Sequence, residues 1–159
     1  MNWDEFFMRH VYLAASKSKD PKTKIGAVLV RTNNIIATGY NGFPYKVLDL
    51  PERYNNRQLK REMVCHGEFN AVVSAARLGI STLDSILYTQ GVPCRECSKA
   101  VIQGGAKEII VHKQWPNLIH SPEWVTSIEL SKLMLTEAGV SIRIFDMTLG
   151  LSGFLDGNE

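Results

Sequence analysis

Two short segments constrain this chain more than anything else in it: Cys65-His66-Gly67-Glu68 and Pro93-Cys94-Arg95-Glu96-Cys97. Cys94 and Cys97 stand at i and i+3, the spacing that puts two side chains on one face of a helix. At the start of a helix their thiolates are favoured by the macrodipole and by backbone N–H groups that have no partner inside the helix. His66 adds one ring nitrogen. It lies 28 positions before Cys94, which leaves room for one helix and one strand between the two segments. The fold must therefore bring two helix starts together around one ion. Taken singly, His-x-Glu is a common chance pattern and Cys-x-x-Cys serves as a redox pair; together, each opening a helix, they are specific.

Three protein ligands carry a further implication. Structural zinc sites are closed by four ligands, whereas catalytic ones keep a position for water. The only nearby fourth candidate is Cys65, whose side chain should diverge from that of His66, and it reads as a buried, inert thiol. Glu68 is then placed to take a proton from water beside the metal. Residues two apart in a regular helix point about 200° away from each other. His66 is therefore expected just before the first regular turn, so that both it and Glu68 face the site. His10 reads as a core residue on an apolar helix face. His112 and His120 lack ligand spacing, and Trp3, Trp115 and Trp124 read as packing residues.

The rest of the chain supplies a scaffold for these segments. Trp3, Phe6, Phe7, His10, Val11 and Ala14 follow helical spacing. Ile25 to Val30, Asn33-Asn34 and Ile35 to Tyr40 read as a hairpin. Residues 41–62 are rich in Asn, Gly, Pro and charge and are expected to form a long loop of functional kind. Helices are expected from about Phe69 to Gly79, from Cys97 to Gly104-Gly105, and from Ser121-Pro122 to Gly139, where Ser caps and Pro occupies the first turn. Strands are expected at Ser85 to Thr89, Glu108 to His112 and Val140 to Phe145. Alternating helices and strands after a hairpin imply an α/β fold with a mixed sheet and helices on both faces. One domain over residues 1–159 accounts for the length and the lack of any linker or repeat.

Composition narrows the function classes. A net charge of +2 does not suggest a nucleic-acid-wrapping surface. The N-terminus is unlike a signal peptide, and no apolar run approaches the roughly 18 residues of a membrane span. Three cysteines, two of them three apart, suit metal binding in a cytoplasmic protein better than disulfides.

With these residues in view, the chain resembles the deoxycytidylate deaminase branch of the cytidine deaminase superfamily. The resemblance runs from about Asp20 to Phe145 and rests on the H-x-E and P-C-x-x-C segments. It also rests on Asp20-Pro21-Lys22-Thr23-Lys24-Ile25-Gly26-Ala27-Val28, on Gly39-Tyr40-Asn41-Gly42-Phe43-Pro44 and on His66-Gly67-Glu68-Phe69-Asn70-Ala71. It implies a three-layer αβα sandwich around a five-stranded mixed sheet, and hydrolysis of dCMP to dUMP and ammonia with one zinc ion held by His66, Cys94 and Cys97. Glu68 would carry a proton to ring N3 and then to the departing amine, and the Gly67 N–H would meet ring O2. Asn41 would bond the sugar 3′-hydroxyl, and Lys24 would meet the 5′-phosphate.

The resemblance further implies a homo-oligomer, hexamer or dimer, activated by dCTP and inhibited by dTTP. Tyr40, Gly42 and Lys46 would form the effector site, with Mg²⁺ accompanying the triphosphate and Arg53, Arg57, Lys60 and Arg61 nearby. Gly67 departs from the usual Ala and is expected to widen the pocket floor. Gln90-Gly91-Val92 stands where Thr-Leu and a third residue are usual, and Lys46 where Gly is common. Residues 43–62 hold neither His nor Cys, so no second zinc is expected there. Two alternatives stand beside this reading: another deaminase of the same fold, acting on cytidine, dCTP or a tRNA adenosine, and a zinc-stabilised binding module without catalysis.

Overall fold

A computed structural model describes residues 1–113 and 121–150. Trp115 and His120 lie outside the described residues. Helix α1 (Trp3–Ala15) starts where the Asn2 side chain accepts from the Glu5 N–H. Strands β1 (Gly26–Arg31) and β2 (Asn34–Tyr40) form the expected hairpin. Its turn residues are Thr32 and Asn33, both at positive φ (48° and 57°), so the turn falls one residue earlier than Asn33-Asn34. Two left-handed residues in a two-residue loop match the twist of the paired strands.

The next segment corrects the sequence reading. Residues 41–62 are not a bare loop but carry α2 (Pro51–Asn55) and reach into α3 (Arg57–Met63). Pro51 occupies the first turn of α2, and the Asn56 side chain caps α3 through the Leu59 N–H. Both helices are short and mostly polar outside, so no apolar period marks them.

The remainder alternates as expected: α4 (Gly67–Arg77), β3 (Ile86–Thr89), α5 (Arg95–Gln103), β4 (Glu108–His112), α6 (Pro122–Glu137) and β5 (Ser141–Phe145). Gly79, Gly105 and Gly139, just past the ends of α4, α5 and α6, have φ of 69°, 77° and 73°. Such left-handed stops suit glycine because they cost it no Cβ clash.

The five strands form one sheet in the order β2-β1-β3-β4-β5. β1 is antiparallel to both neighbours, whereas β3-β4 and β4-β5 are parallel, each joined through a crossover helix. Side chains alternate between two apolar clusters. Ala27, Leu29, Leu87, Ile109 and Val111 pack with Ala71, Ala75, Val101 and Leu135 of the α4–α6 layer. Val28, Val30, Tyr88 and Ile110 pack with Phe7, Met8, Val11 and Tyr12 of α1. The sheet is thus sandwiched between helical layers, as expected.

Two glycines let the layers close. A Cβ on Gly39 would lie 2.2 Å from the Gly67 carbonyl oxygen, and one on Gly26 would lie 2.0 Å from that of Val11. β2 therefore touches the first turn of α4, and β1 touches α1, backbone to backbone.

Candidate active site

The start of β1 and the end of β3, two interior strands, meet the starts of α4 and α5. His66 is the N-cap of α4, in extended backbone (φ −77°, ψ 160°), and Cys94 is the N-cap of α5 (φ −67°, ψ 168°). The cap position turns His66 away from helical geometry, as inferred from the 200° argument. Ligand atoms of His66, Cys94 and Cys97 all lie within 4.8 Å of one another, with His66 Nδ1 3.4 Å from Cys94 Sγ. A tetrahedral zinc with bonds of about 2.0–2.1 Å to nitrogen and 2.3 Å to sulfur needs donors roughly 3.6–3.8 Å apart. The donor set therefore fits zinc by type and by spacing. Among the described residues no fourth metal-binding side chain joins the group. Cys65 is held instead by its backbone, whose N and O pair with Gly42.

Electrostatics separate the two thiols. A hydrogen bond from Cys97 and the neighbouring His66 bring Cys94 down to about 4, against the effect of burial. The same contact with Cys94 raises His66 to about 9. The Cys97 thiol is pushed up by its bond to Cys94, by burial and by the Glu68 carboxylate. A metal ion replaces such shared protons, which is how a preorganised thiol–imidazole set takes up zinc.

Glu68 is 6% exposed and burial raises its pKa. Opposing that rise, the His66 charge, its own backbone N–H and the Cys97 thiol stabilise the carboxylate. Thr89 Oγ1 lies 3.3 Å from Glu68 Oε1 and 3.2 Å from the Gly26 carbonyl, so the one hydroxyl proton has two acceptors. A carboxyl beside a metal site, sealed from solvent and held at the end of β3, is suited to receiving a proton and passing it on.

Several site residues were missed from sequence. Thr89 is one; its alternation with Leu87 places it on the α4 side of the sheet and could have marked it. Trp124, read as packing, lies with its ring centre 6.3 Å from that of His66 and is 37% exposed, so it flanks the metal ligands from the first turn of α6. Ser127 caps α5 from outside by accepting the Arg95 N–H. His10 is corrected: its ring lies on Phe6, and its Nδ1 meets the Phe6 carbonyl on the exposed side of α1 rather than in the core. His112 is buried between the Tyr12 hydroxyl and the Met147 carbonyl and is not part of the His66, Cys94 and Cys97 cluster.

The remaining predicted residues lie around this centre. Asn41 is buried, its Oδ1 accepting the Ile25 N–H and its Nδ2 donating to the Thr23 carbonyl. Lys24 is exposed and donates to the Ser18 carbonyl. A Cβ on Gly67 would lie 2.9 Å from the Ile25 carbonyl oxygen. The absent methyl therefore makes room for the β1 lead-in and does not widen a pocket floor.

Tyr40, Gly42 and Lys46 are not brought to the metal ligands. With Asn41, Lys17, Lys19, Asp49 and Tyr54 they line a cleft of about 200 Å³. Lys46 has φ of 68°, the left-handed conformation that glycine adopts without strain. Lys60, expected near an effector, instead forms a 2.7 Å ion pair with buried Asp20, and Arg53 donates to the Leu48 carbonyl.

Comparison with known proteins agrees with this geometry. Residues 1–113 match the cytidine and deoxycytidylate deaminase zinc-binding region. The deoxycytidylate deaminase of Mus musculus is 36% identical over 151 residues, covering 91% of this chain and 80% of that protein. The Homo sapiens deoxycytidylate deaminase is 34% identical over the same shares. A crystal structure of the dCMP deaminase from cyanophage S-TIM5 in complex with dCMP and dUMP superposes with a TM-score of 0.68 at 26% identity, covering 89% of this chain and 95% of that one. With this match over most of its length and the metal-ligand set in place, the chain belongs to the cytidine and deoxycytidylate deaminase family.

Proposed function

We propose that the chain hydrolyses dCMP to dUMP and ammonia, with one zinc ion bound by His66, Cys94 and Cys97. The observation that carries this reading is the convergence of those three donors beside the buried Glu68. Similarity to named deoxycytidylate deaminases supports the substrate. His66, Cys94 and Cys97 would hold the zinc ion, which would make water at the site acidic enough to give up a proton near neutral pH. Glu68 accepts a proton from the attacking water and delivers it to ring N3, so that a C–O bond forms at C4. It then takes the proton of the new C4 hydroxyl and gives it to the amine, so that C4=O forms as the C4–N bond breaks and ammonia leaves. Thr89 holds Oε1 in place throughout, and the Gly67 N–H, at the free start of α4, faces ring O2.

Substrate recognition beyond the ring rests on Asn41 for the 3′-hydroxyl and Lys24 for the 5′-phosphate. Trp124 forms a wall beside the base. The cleft of Tyr40, Gly42 and Lys46 takes a nucleoside triphosphate, dCTP activating and dTTP opposing, with Mg²⁺ on the phosphates. Lys17 and Lys46 suit the phosphates, Lys19 being paired with Asp49, and the Gly42–Cys65 bridge ties the cleft to the residue that precedes His66. The enzyme works as a homo-oligomer, hexamer or dimer, in the cytoplasm. Among the described residues no helix is long and apolar enough to cross a membrane.

The test is ammonia release from cytidine, dCMP, CMP, dCTP and a tRNA, with zinc measured on the same preparation. dCMP should be turned over fastest, with about one zinc per chain at full loading. Preference for the tRNA or for cytidine would replace the substrate assignment. Zinc without turnover of any of them would mean a binding module.

A further inference from the structure

The four residues before and at the start of β1, Thr23 to Gly26, are held largely by side chains, with one backbone bond at Ile25, whose carbonyl accepts the Asn41 N–H at 3.0 Å. On the β2 side, Asn41 Oδ1 takes the Ile25 N–H and Asn41 Nδ2 bonds the Thr23 carbonyl, both at 2.8 Å. On the β3 side, Gln90 Oε1 takes the Gly26 N–H at 2.6 Å and Gln90 Nε2 bonds the Lys24 carbonyl at 3.1 Å. Each carboxamide spends one donor and one acceptor on this stretch, as a peptide group would, so the pair extends the sheet ladder one step past the strand ends. Gln90 is fully buried, and its amide spends one N–H and its oxygen on this backbone.

Above and below, this rail has no slack. Gly26 touches the Val11 carbonyl of α1, and the Ile25 carbonyl oxygen occupies the space a Cβ on Gly67 would need. Gly67 stands between His66 and Glu68, so the rail forms the backbone floor beneath both.

We infer that Gln90 is a positioning residue for the active site: it sets the Lys24–Gly26 rail against the first turn of α4, and Gly67 is the complementary position that admits it. Gln90 and Gly67 therefore act as a pair. The inference rests on the deaminase reading for its kinetic signature, but the mechanical coupling does not.

The test is a double-mutant cycle of Gln90→Met and Gly67→Ala in the zinc-loaded enzyme. Methionine keeps the unbranched shape and size and removes both hydrogen bonds. Each single change should raise KM for dCMP about tenfold while zinc stays bound and kcat falls less than threefold. The double variant should lie within about threefold of the worse single, because both changes displace the same rail; independent sites would multiply to about a hundredfold. Multiplicative KM effects, or a fall in kcat with KM unchanged, would overturn the pairing. Should Gln90→Met prove too unstable to assay, Gln90→Glu retains the acceptor for the Gly26 N–H and replaces only the donor to the Lys24 carbonyl. The same KM rise is expected from it, and an unchanged KM refutes the role. Denaturant melts of the four proteins read the coupling without substrate: additive stability losses refute it even if the wild type fails to deaminate dCMP, and wild-type inactivity alone refutes only the substrate reading.

Discussion

Replacing Glu68 with Gln isolates the proton carrier from everything else at the site. The amide keeps the side-chain length and still accepts from Thr89, whose hydroxyl lies 3.3 Å from Oε1. The three metal donors are untouched, so zinc should stay at wild-type level. What disappears is the ability to take a proton from water and deliver it twice. Loss of a positioned general acid–base typically costs about 10²–10⁴-fold, which at about 1.36 kcal/mol per decade is roughly 2.7–5.4 kcal/mol of barrier. The upper part of that range is expected, because one carboxyl serves two transfers and, at 6% exposure, bulk water cannot easily substitute for it. Folding should not suffer: burial already disfavours the carboxylate, so a neutral amide is neutral or stabilising there. The assay is single-turnover loss of dCMP, with zinc quantified on the same sample. Turnover within tenfold of wild type with zinc bound would refute Glu68 as the carrier. Loss of zinc or of folding would show that the carboxylate is structural.

Cys97→Ser should release zinc and, because the ion ties α4 to α5, lower the melting temperature. Chelator titration and elemental analysis check this, and a stable, active, metal-free variant would refute the ligand set. Lys60→Met leaves Asp20 with a buried charge but with its bonds from the Lys22 and Thr23 N–H groups intact. A loss of about 2–3 kcal/mol is expected, below the 3–5 of a fully buried broken pair, and a urea melt with a loss under about 0.5 kcal/mol would refute it. Tyr12, Tyr54 and Tyr88 all have phenols raised by burial, Tyr54 to about 12. The folded state holds these protons more tightly than the unfolded chain does, so stability should be level below about pH 10 and fall as pH rises toward 12. Melts across that interval that show no decline would refute the buried phenols.

Where sequence and structure agree, one physical period decides the matter. The helices α1 and α4 were legible from apolar residues at helical spacing, α6 from its Ser121 cap, Pro122 and Gly139 stop, and β3 and β4 from short apolar runs. The clustering of His66, Cys94 and Cys97 was legible because helix geometry constrains i and i+3, and because an N-cap is where His66 escapes the angle that would separate it from Glu68. α2 and α3 were not legible. Only Tyr54 in α2 is buried and nothing in α3 is, so neither writes an apolar period, and Asn56 and Pro51 are ambiguous between turn and cap. The approach of Trp124 to His66 was not legible because the two lie 58 positions apart along the chain, and no local pattern joins them.

Gly67 and Gln90 illustrate why a motif departure cannot be interpreted one position at a time. A missing methyl at position 67 reads as added space, and a longer polar side chain at position 90 reads as an unexplained substitution. In the fold both act on the same stretch of backbone: Gln90 bonds the Lys24 carbonyl and the Gly26 N–H, and the peptide between them reaches into the space beside Gly67. The two substitutions have opposite senses in volume and one consequence in position. Asn41 belongs to the same device from the other side, where its carboxamide spends a donor and an acceptor on backbone. It keeps one N–H and one lone pair for a ligand. A residue proposed to bind the sugar is thus also one that builds the wall around it, and replacing it with Ala removes both functions at once. Its effect on substrate binding is therefore to be judged against Gln90→Met, which loosens the same rail from the opposite side and touches no sugar.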